Sequence, residues 1–403
     1  MKYKVISYIK ANTLFFVVLS TILLFLAFDF TTKFSNVNSY KGFSRFSAIP
    51  KTLFEILLFV LLLKNFKKVK KHLWIVGALV LITALGLLIS NDTITRELVT
   101  SKAYDLNKYL YSFFFAFAIL SLDEKKQYSI TKSIVNIFII IGIINALCML
   151  LGMFTDFETL RSYPYTKRFG YNGFFVKTSE TSFMYILLII TTYYQYIQTK
   201  KLSIGLCCLF FMGISLLIGT KIVWLMIMLI VATHFLLHEN KVIRIIAQTG
   251  IVLLLTSIFL FYQAIEKMII NAFSFGPYIY DNHGFMAVLT SKRNILLNET
   301  MQYLSENGSF YNYLIGGINT REHGVQFEIV DILLFFGFLG LIFFSILVYR
   351  VYFNTYAGKL KVALFVAFML VVCFAGNFFT SIMCSIFAFV VFQHMKPTEN
   401  QKL

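Results

Sequence analysis

Residues Arg321–Tyr349 read REHGVQFEIVDILLFFGFLGLIFFSILVY, and the change of character inside this stretch decides the fold. The charged cluster Arg321-Glu322-His323 gives way to an apolar run that opens with Glu328 and Asp331 and then carries no charge through Tyr349. An uncharged apolar run of this length crosses the roughly 30 Å hydrocarbon core of a bilayer as a helix. Glu328 and Asp331 are spaced i, i+3 and share one helix face. Carboxylates in the first turns of a span are costly and mark a functional site by default. The same pair would also cap the helix and complement its dipole.

Upstream lies the longest polar interruption of the chain, Gln263 to Gln326. It holds Glu266, Lys267, Asp281, His283, Lys292, Arg293, Glu299 and Glu306 besides the Arg321–His323 cluster. Connections of this length are uncommon and are functional or disordered. Nearly everything else is apolar. The 403 residues are 58% hydrophobic and only 14% charged, with a mean hydropathy of +0.76. A soluble domain carries about 25% charged residues, so the chain reads as an all-α, polytopic integral membrane protein. Its five cysteines all fall inside apolar runs without metal-ligand spacing, as small core residues do.

Runs long enough to span lie near 12–30, 49–64, 73–90, 104–121, 132–153, 181–198, 202–218, 221–238, 243–262, 327–349, 361–376 and 378–394. About twelve transmembrane helices follow: nine within 1–262, a large extracytoplasmic loop over 263–326, and three within 327–403. The pairs meeting at Gly219-Thr220-Lys221 and at Gly376-Asn377 could each be a broken or re-entrant helix instead. The amino terminus is basic and no small-residue cleavage site follows the first run, so that run reads as a retained span.

Lys64, Lys67, Lys68, Lys70 and Lys71 form the densest basic cluster and are expected to be cytoplasmic. Alternation then puts both termini inside and the 263–326 loop, the Thr155–Glu180 loop and the Lys221 turn outside. Nearly half of the 36 Lys and Arg still fall outside. Long loops translocate regardless of charge; alternatively the outer face binds an anion, for which a phosphate-bearing lipid headgroup is the obvious candidate.

Four segments carry groups suited to that. Tyr165–Phe175 sets Lys167 and Arg168 beside Gly170, Gly173 and five aromatics. Arginine grips phosphate bidentately and glycine lets backbone approach a ligand; an interfacial aromatic–arginine belt has the same composition. Lys221 opens a helix after Gly219-Thr220, where the dipole favours an anion, although a snorkelling lysine looks alike. Lys292 and Arg293 precede an amphipathic helix with Leu296, Leu297, Met301 and Leu304 on one face, suited to lying in the membrane interface. Last comes Gly316-Gly317, followed by Arg321-Glu322-His323. Glu55, Asp105 and Glu180, near outer helix ends, either join a site or pair with outer lysines. No HExxH, CxxC, P-loop or GxGxxG pattern occurs, nor an acidic pair in the first outer loop to hold a divalent cation. Metal-free chemistry without a cofactor is expected.

The second half of the chain, Arg168 to Phe389, resembles the Wzy-type polysaccharide polymerases and the related O-antigen ligases. The resemblance rests on order and spacing: Arg168-Phe169-Gly170 through Phe174-Phe175 before a span, Gly219-Thr220-Lys221 at a helix start, and Ser291-Lys292-Arg293 in a large outer loop. Gly316-Gly317 follow, then Glu328–Asp331 running into Phe336-Gly337-Phe338-Leu339-Gly340. The ligases carry a His-Asn pair before that last helix; here the region reads Gln326-Phe327-Glu328, with His323 upstream, which favours a polymerase.

The resemblance implies a GT-C-like fold in the bacterial plasma membrane. It also implies transfer of a growing glycan from a polyprenyl diphosphate to a lipid-linked repeat unit on the outer face. Arg168, Lys167, Lys221, Arg293, Lys292 and Arg321 would bind the diphosphate, and Glu328, His323 and Asp331 would supply the proton chemistry. The implied partners are the lipid-linked donor and acceptor, membrane lipid, a chain-length regulator and a flippase, with no nucleic acid. The rivals are a lipid-linked oligosaccharide flippase, which should carry its charges along a mid-membrane path, and a non-enzymatic scaffold, which needs no carboxylates in a span.

Overall fold

The computed structural model of the chain describes residues 13–39, 47–89, 95–166, 168–272, 276–353 and 358–395. Among them the regular structure is helical, with no strand beyond the isolated Arg161–Tyr171 bridge. Among the described residues every apolar run identified above is largely helical. In order these are α1 (Thr13–Val37), α2 (Ala48–Lys64), α3 (Phe66–Ile89), α4 (Arg96–Leu120), α5 (Glu124–Thr155), α6 (Thr178–Thr199), α7 (Leu202–Ser215), α8 (Lys221–Leu236) and α9 (Lys241–Leu260). Then come the short helices α10 (Tyr262–Ala272), α11 (Gly276–Thr290), α12 (Arg293–Asn307), α13 (Phe310–Ile315) and α14 (Thr320–His323). The last three are α15 (Glu328–Val348), α16 (Lys359–Ala375) and α17 (Ile382–His394). Among the described residues, five helical stretches are long and apolar enough to cross a membrane: Phe15–Val37, Phe66–Ile89, Glu124–Thr155, Lys241–Leu260 and Glu328–Phe353. The chain is a helical membrane protein.

The polar interruption at 263–326 is thus no irregular loop: α10 to α14 occupy most of it. In a largely apolar molecule an unpaired backbone is costly, and helix formation satisfies it locally. The expected amphipathic helix is α12, with Arg293 as its first residue. Its apolar face does not lie bare for the bilayer. Leu304 joins a buried cluster with Ile318, Val325 and Leu334, and Leu296 and Leu297 pack against that cluster. Met301 alone of the four predicted face residues remains exposed.

Two compact units make up the chain. The first comprises residues 1–72, 110–223 and 381–403. Its centre is α6, in which every residue from Thr181 to Tyr193 is buried, and α17, buried from Met383 to Gln393. A helix apolar all round is a core helix. Phe387 of α17 stacks on Phe138 of α5 with centroids 4.2 Å apart. One turn further along the same face, α5 meets α6 so closely that a Cβ at Gly142 would lie 2.4 Å from Leu188 Cδ1.

The second unit comprises residues 73–109 and 224–380. It is organised by a break in α15 at Gly337, where φ is 69° and ψ −177°, a conformation essentially confined to glycine. The carbonyls of Phe335 and Leu334, just before the break, accept the amides of Gly317 and Ile318, each at 3.2 Å. A Cβ at Gly337 would stand 2.4 Å from the amide nitrogen of Gly316, and one at Gly316 would stand 2.4 Å from the Phe335 carbonyl oxygen. The two glycine motifs of the sequence are therefore one contact. Lys102 crosses the same junction: its ammonium donates to the Ile318 carbonyl and sits 4.9 Å over the Phe335 ring.

Gly337→Ala combines a forbidden φ with a backbone clash and is expected to cost about 1–3 kcal/mol or more. Gly77→Ala, where a Cβ meets nothing within 4 Å, is the matched control. Thermal unfolding in detergent should show a clear loss for the first and almost none for the second; equal melting temperatures would refute the close-contact account.

Candidate functional site

In the first unit the sequence's first two candidate segments come together. The amide of Tyr171 donates to the Leu217 carbonyl at 2.8 Å, and Ser162 Oγ donates to the Ile218 carbonyl at 3.1 Å. A Cβ at Gly170 would lie 2.5 Å from the Ile218 carbonyl oxygen, and a Cβ at Gly219 equally close to that of Phe169. Both glycines have positive φ, 150° and 75°. The turn that presents Arg168 is therefore fastened backbone to backbone against the turn that starts α8. Lys221 is the first residue of that helix, whose leading amides lack intrahelical acceptors. Ser182 and Thr220 share a hydroxyl hydrogen bond at 2.8 Å, tying α6 to the same corner.

Arg168 lies flat over Tyr163, its guanidinium carbon 3.7 Å from the ring centroid, and among the described residues it has no carboxylate partner. Stacking uses the guanidinium face and leaves the in-plane N–H donors for an anion. Arg161, on the same turn, contrasts with it, being paired with Glu158 at 3.2 Å and Asp156 at 3.7 Å. Beneath the turn sits Lys33, a buried lysine that the sequence reading passed over. Its ammonium donates to Asn172 Oδ1 at 2.5 Å and to the Gly173 carbonyl at 2.6 Å. Lys167 lies outside the described residues, as do Lys2, Lys4 and Lys10 of the basic amino terminus.

In the second unit Glu328 is 1% exposed. Its two carboxylate oxygens accept the amides of Phe378 and Phe379 at 2.8 and 2.9 Å. It borders a cavity of about 240 Å³ lined otherwise by residues such as Ile332, Phe344, Val372 and Phe379. Asp331 accepts the Val325 amide at 2.7 Å. Asp331 therefore holds the turn before α15, close to the capping role that the sequence offered as an alternative, while Glu328 holds the turn between α16 and α17 and, among the described residues, accepts no amide of its own helix start. Arg293 donates to the Phe374 carbonyl at 2.5 Å, lies 5.9 Å over Phe327 and acts electrostatically on Asp331. Lys292 adopts a left-handed conformation just before it and sits 5.9 Å over Tyr278. His323 stacks on Tyr303 with centroids 3.7 Å apart.

Arg321 is engaged by Asp105, with Nε at 2.9 Å and Nη2 at 3.3 Å from the carboxylate. Asp105 also pairs with Lys108 at 3.0 Å, so it holds cations of its own unit. The residues that sequence reasoning missed are Lys33, Lys102 and the ion pair of Asp29 with Lys51, 2.7 Å apart. Their signal was a charge inside or near the end of an apolar run, present in the sequence but shared with snorkelling lysines. No group of three or more metal-binding side chains occurs among the described residues. Comparison with protein-family models, curated proteins and solved structures finds no match for the chain.

Glu328→Ala leaves two buried amides without an acceptor, at about 1–3 kcal/mol each, whereas Glu328→Gln keeps one acceptor oxygen. Melting temperatures should fall in the order wild type, Gln, Ala. An alanine variant as stable as wild type would show that the carboxylate does not hold the 378–379 turn.

Proposed function

We propose that the chain polymerises lipid-linked oligosaccharide repeat units on the outer face of the bacterial plasma membrane, as its resemblance to the Wzy-type polymerases implies. Twelve apolar runs that are largely helical support twelve crossings and a GT-C-like arrangement, with both termini inside. The observation that carries the reading is the fastening of the Arg168 turn to the start of α8. It joins an arginine without a carboxylate partner among the described residues to the amide-rich, positive end of a helix that begins with Lys221. This combination suits a diphosphate.

In this reading the anomeric carbon of the donor glycan forms a bond to the acceptor hydroxyl oxygen as its bond to the diphosphate breaks. The leaving diphosphate carries away the electron pair. Arg168 and Lys221 stabilise the charge that develops there, and Arg293 is the second arginine assigned to substrate binding, with Lys292 beside it. No resident metal is assigned. Arg321, paired with Asp105, serves to position α14, Asp331 the turn before α15 and Glu328 the turn after α16. A flippase and a chain-length regulator are the protein partners that this function requires.

Arg168→Ala and Arg293→Ala should each leave the protein in the membrane and abolish long glycan chains, with single repeats still displayed outside. Normal chain lengths in both variants would defeat the assignment, and repeats held on the cytoplasmic leaflet would mean a flippase instead.

A further inference from the structure

The proposed reaction needs a group to take the proton of the acceptor hydroxyl. In the first unit, which carries the Arg168 turn, one carboxylate is built for such a role. Glu180 stands in the first turn of α6. Thr178 and Ser182, one turn apart, face the Arg168 corner, with Thr178 Oγ1 donating to the Ser162 carbonyl at 3.0 Å and Ser182 bonded to Thr220. Position 180 is rotated about 200° from 178 on a helix of 3.6 residues per turn. Its side chain therefore points to another wall of the same end of α6. There Glu180 Oε1 accepts the hydroxyl of Ser381 at 3.0 Å, at the start of α17. Cys384 pins the Glu180 backbone carbonyl. The Asp29–Lys51 ion pair and Lys177 act on Glu180 electrostatically.

Three features separate Glu180 from the buried acids of the second unit. It is half-buried, whereas Glu328 is 1% exposed and faces only a largely apolar cavity. Among the described residues its side-chain hydrogen bond goes to a hydroxyl and no backbone amide ties down either oxygen, so it retains acceptor capacity. The serine and the Asp29–Lys51 pair around it fix its orientation and the local charge, the support expected around a proton-transfer group.

Resting on the function proposed above, we infer that Glu180 is the proton acceptor for the acceptor sugar's hydroxyl, and that this sugar docks where the starts of α6 and α17 meet. The hydroxyl proton passes to the Glu180 carboxylate as the oxygen bonds to the anomeric carbon. The diphosphate leaves with the electron pair of the broken bond, and the proton is then lost to water.

The test uses the full chain in proteoliposomes with lipid-linked repeat units extracted from cells carrying Arg168→Ala. Chain extension is followed as kcat, KM and a pH profile. Glu180→Gln should lower kcat by about 100-fold or more, with KM changed only a few-fold, and should remove the acidic limb of the profile. Glu180→Asp withdraws the carboxylate by one methylene; it should keep the limb at reduced kcat and decides the matter if the glutamine variant does not fold. Wild-type kcat in Glu180→Gln, or in Glu180→Asp where the former is unfolded, would overturn the assignment of Glu180 alone. Wild-type protein that extends no chain from these units would instead overturn the polymerase reading, and this inference with it.

Discussion

A helix broken inside an apolar surrounding must find partners for every amide and carbonyl that the break releases, because neither lipid nor core side chains can supply them. That constraint shapes both units. At Gly337 the carbonyls of Leu334 and Phe335 are met by the 317–318 amides and the Ile318 carbonyl by Lys102. At the turn after α16 the freed amides of Phe378 and Phe379 are met by Glu328. Where the Arg168 turn meets the end of α7, Leu217 and Ile218 carbonyls are met by Tyr171 and Ser162. The polar groups at these three places thus answer interruptions in helices, and each interruption creates a place where backbone is presented rather than consumed.

Charge compensation then sorts the cations. Arg161 and Arg321 have carboxylates within reach and belong to the frame. Arg168 has an aromatic shelf in place of an acid. An arginine stacked on a ring is oriented without being neutralised, so its field remains available to a ligand. The acids divide in the same way: Glu328 and Asp331 are spent on amides, while Glu180 is held by a hydroxyl and stays partly accessible.

Hydropathy made the helices legible, because an apolar run in this chain has no alternative to helical backbone. The glycine motifs were also visible in sequence, but not their pairing. Gly316 with Gly337, and Gly170 with Gly219, are contacts between distant segments with no local signature. The 263–326 interruption shows only its amphipathic helix in the sequence; the other short helices, and the small core that Leu304 closes with Ile318, depend on contacts between separate segments. Glu328 and Asp331 were recognised as exceptional, yet whether such a carboxylate caps a turn or does chemistry depends on which amides face it. For Glu328 these lie some 50 residues further along the chain. Lys33 was illegible for the same reason, since its partners Asn172 and Gly173 are remote in sequence.

The central claim is that the Arg168 turn and the start of α8 together form an anion site for a diphosphate lipid. Its most direct test is equilibrium binding of a polyprenyl diphosphate to the purified full chain in nanodiscs, as a function of salt, for wild type and Arg168→Gln. The account predicts salt-sensitive binding to the wild type that is severely weakened in the variant, with the corresponding polyprenol bound poorly by both. Equal affinity of the two proteins for the diphosphate lipid would contradict it.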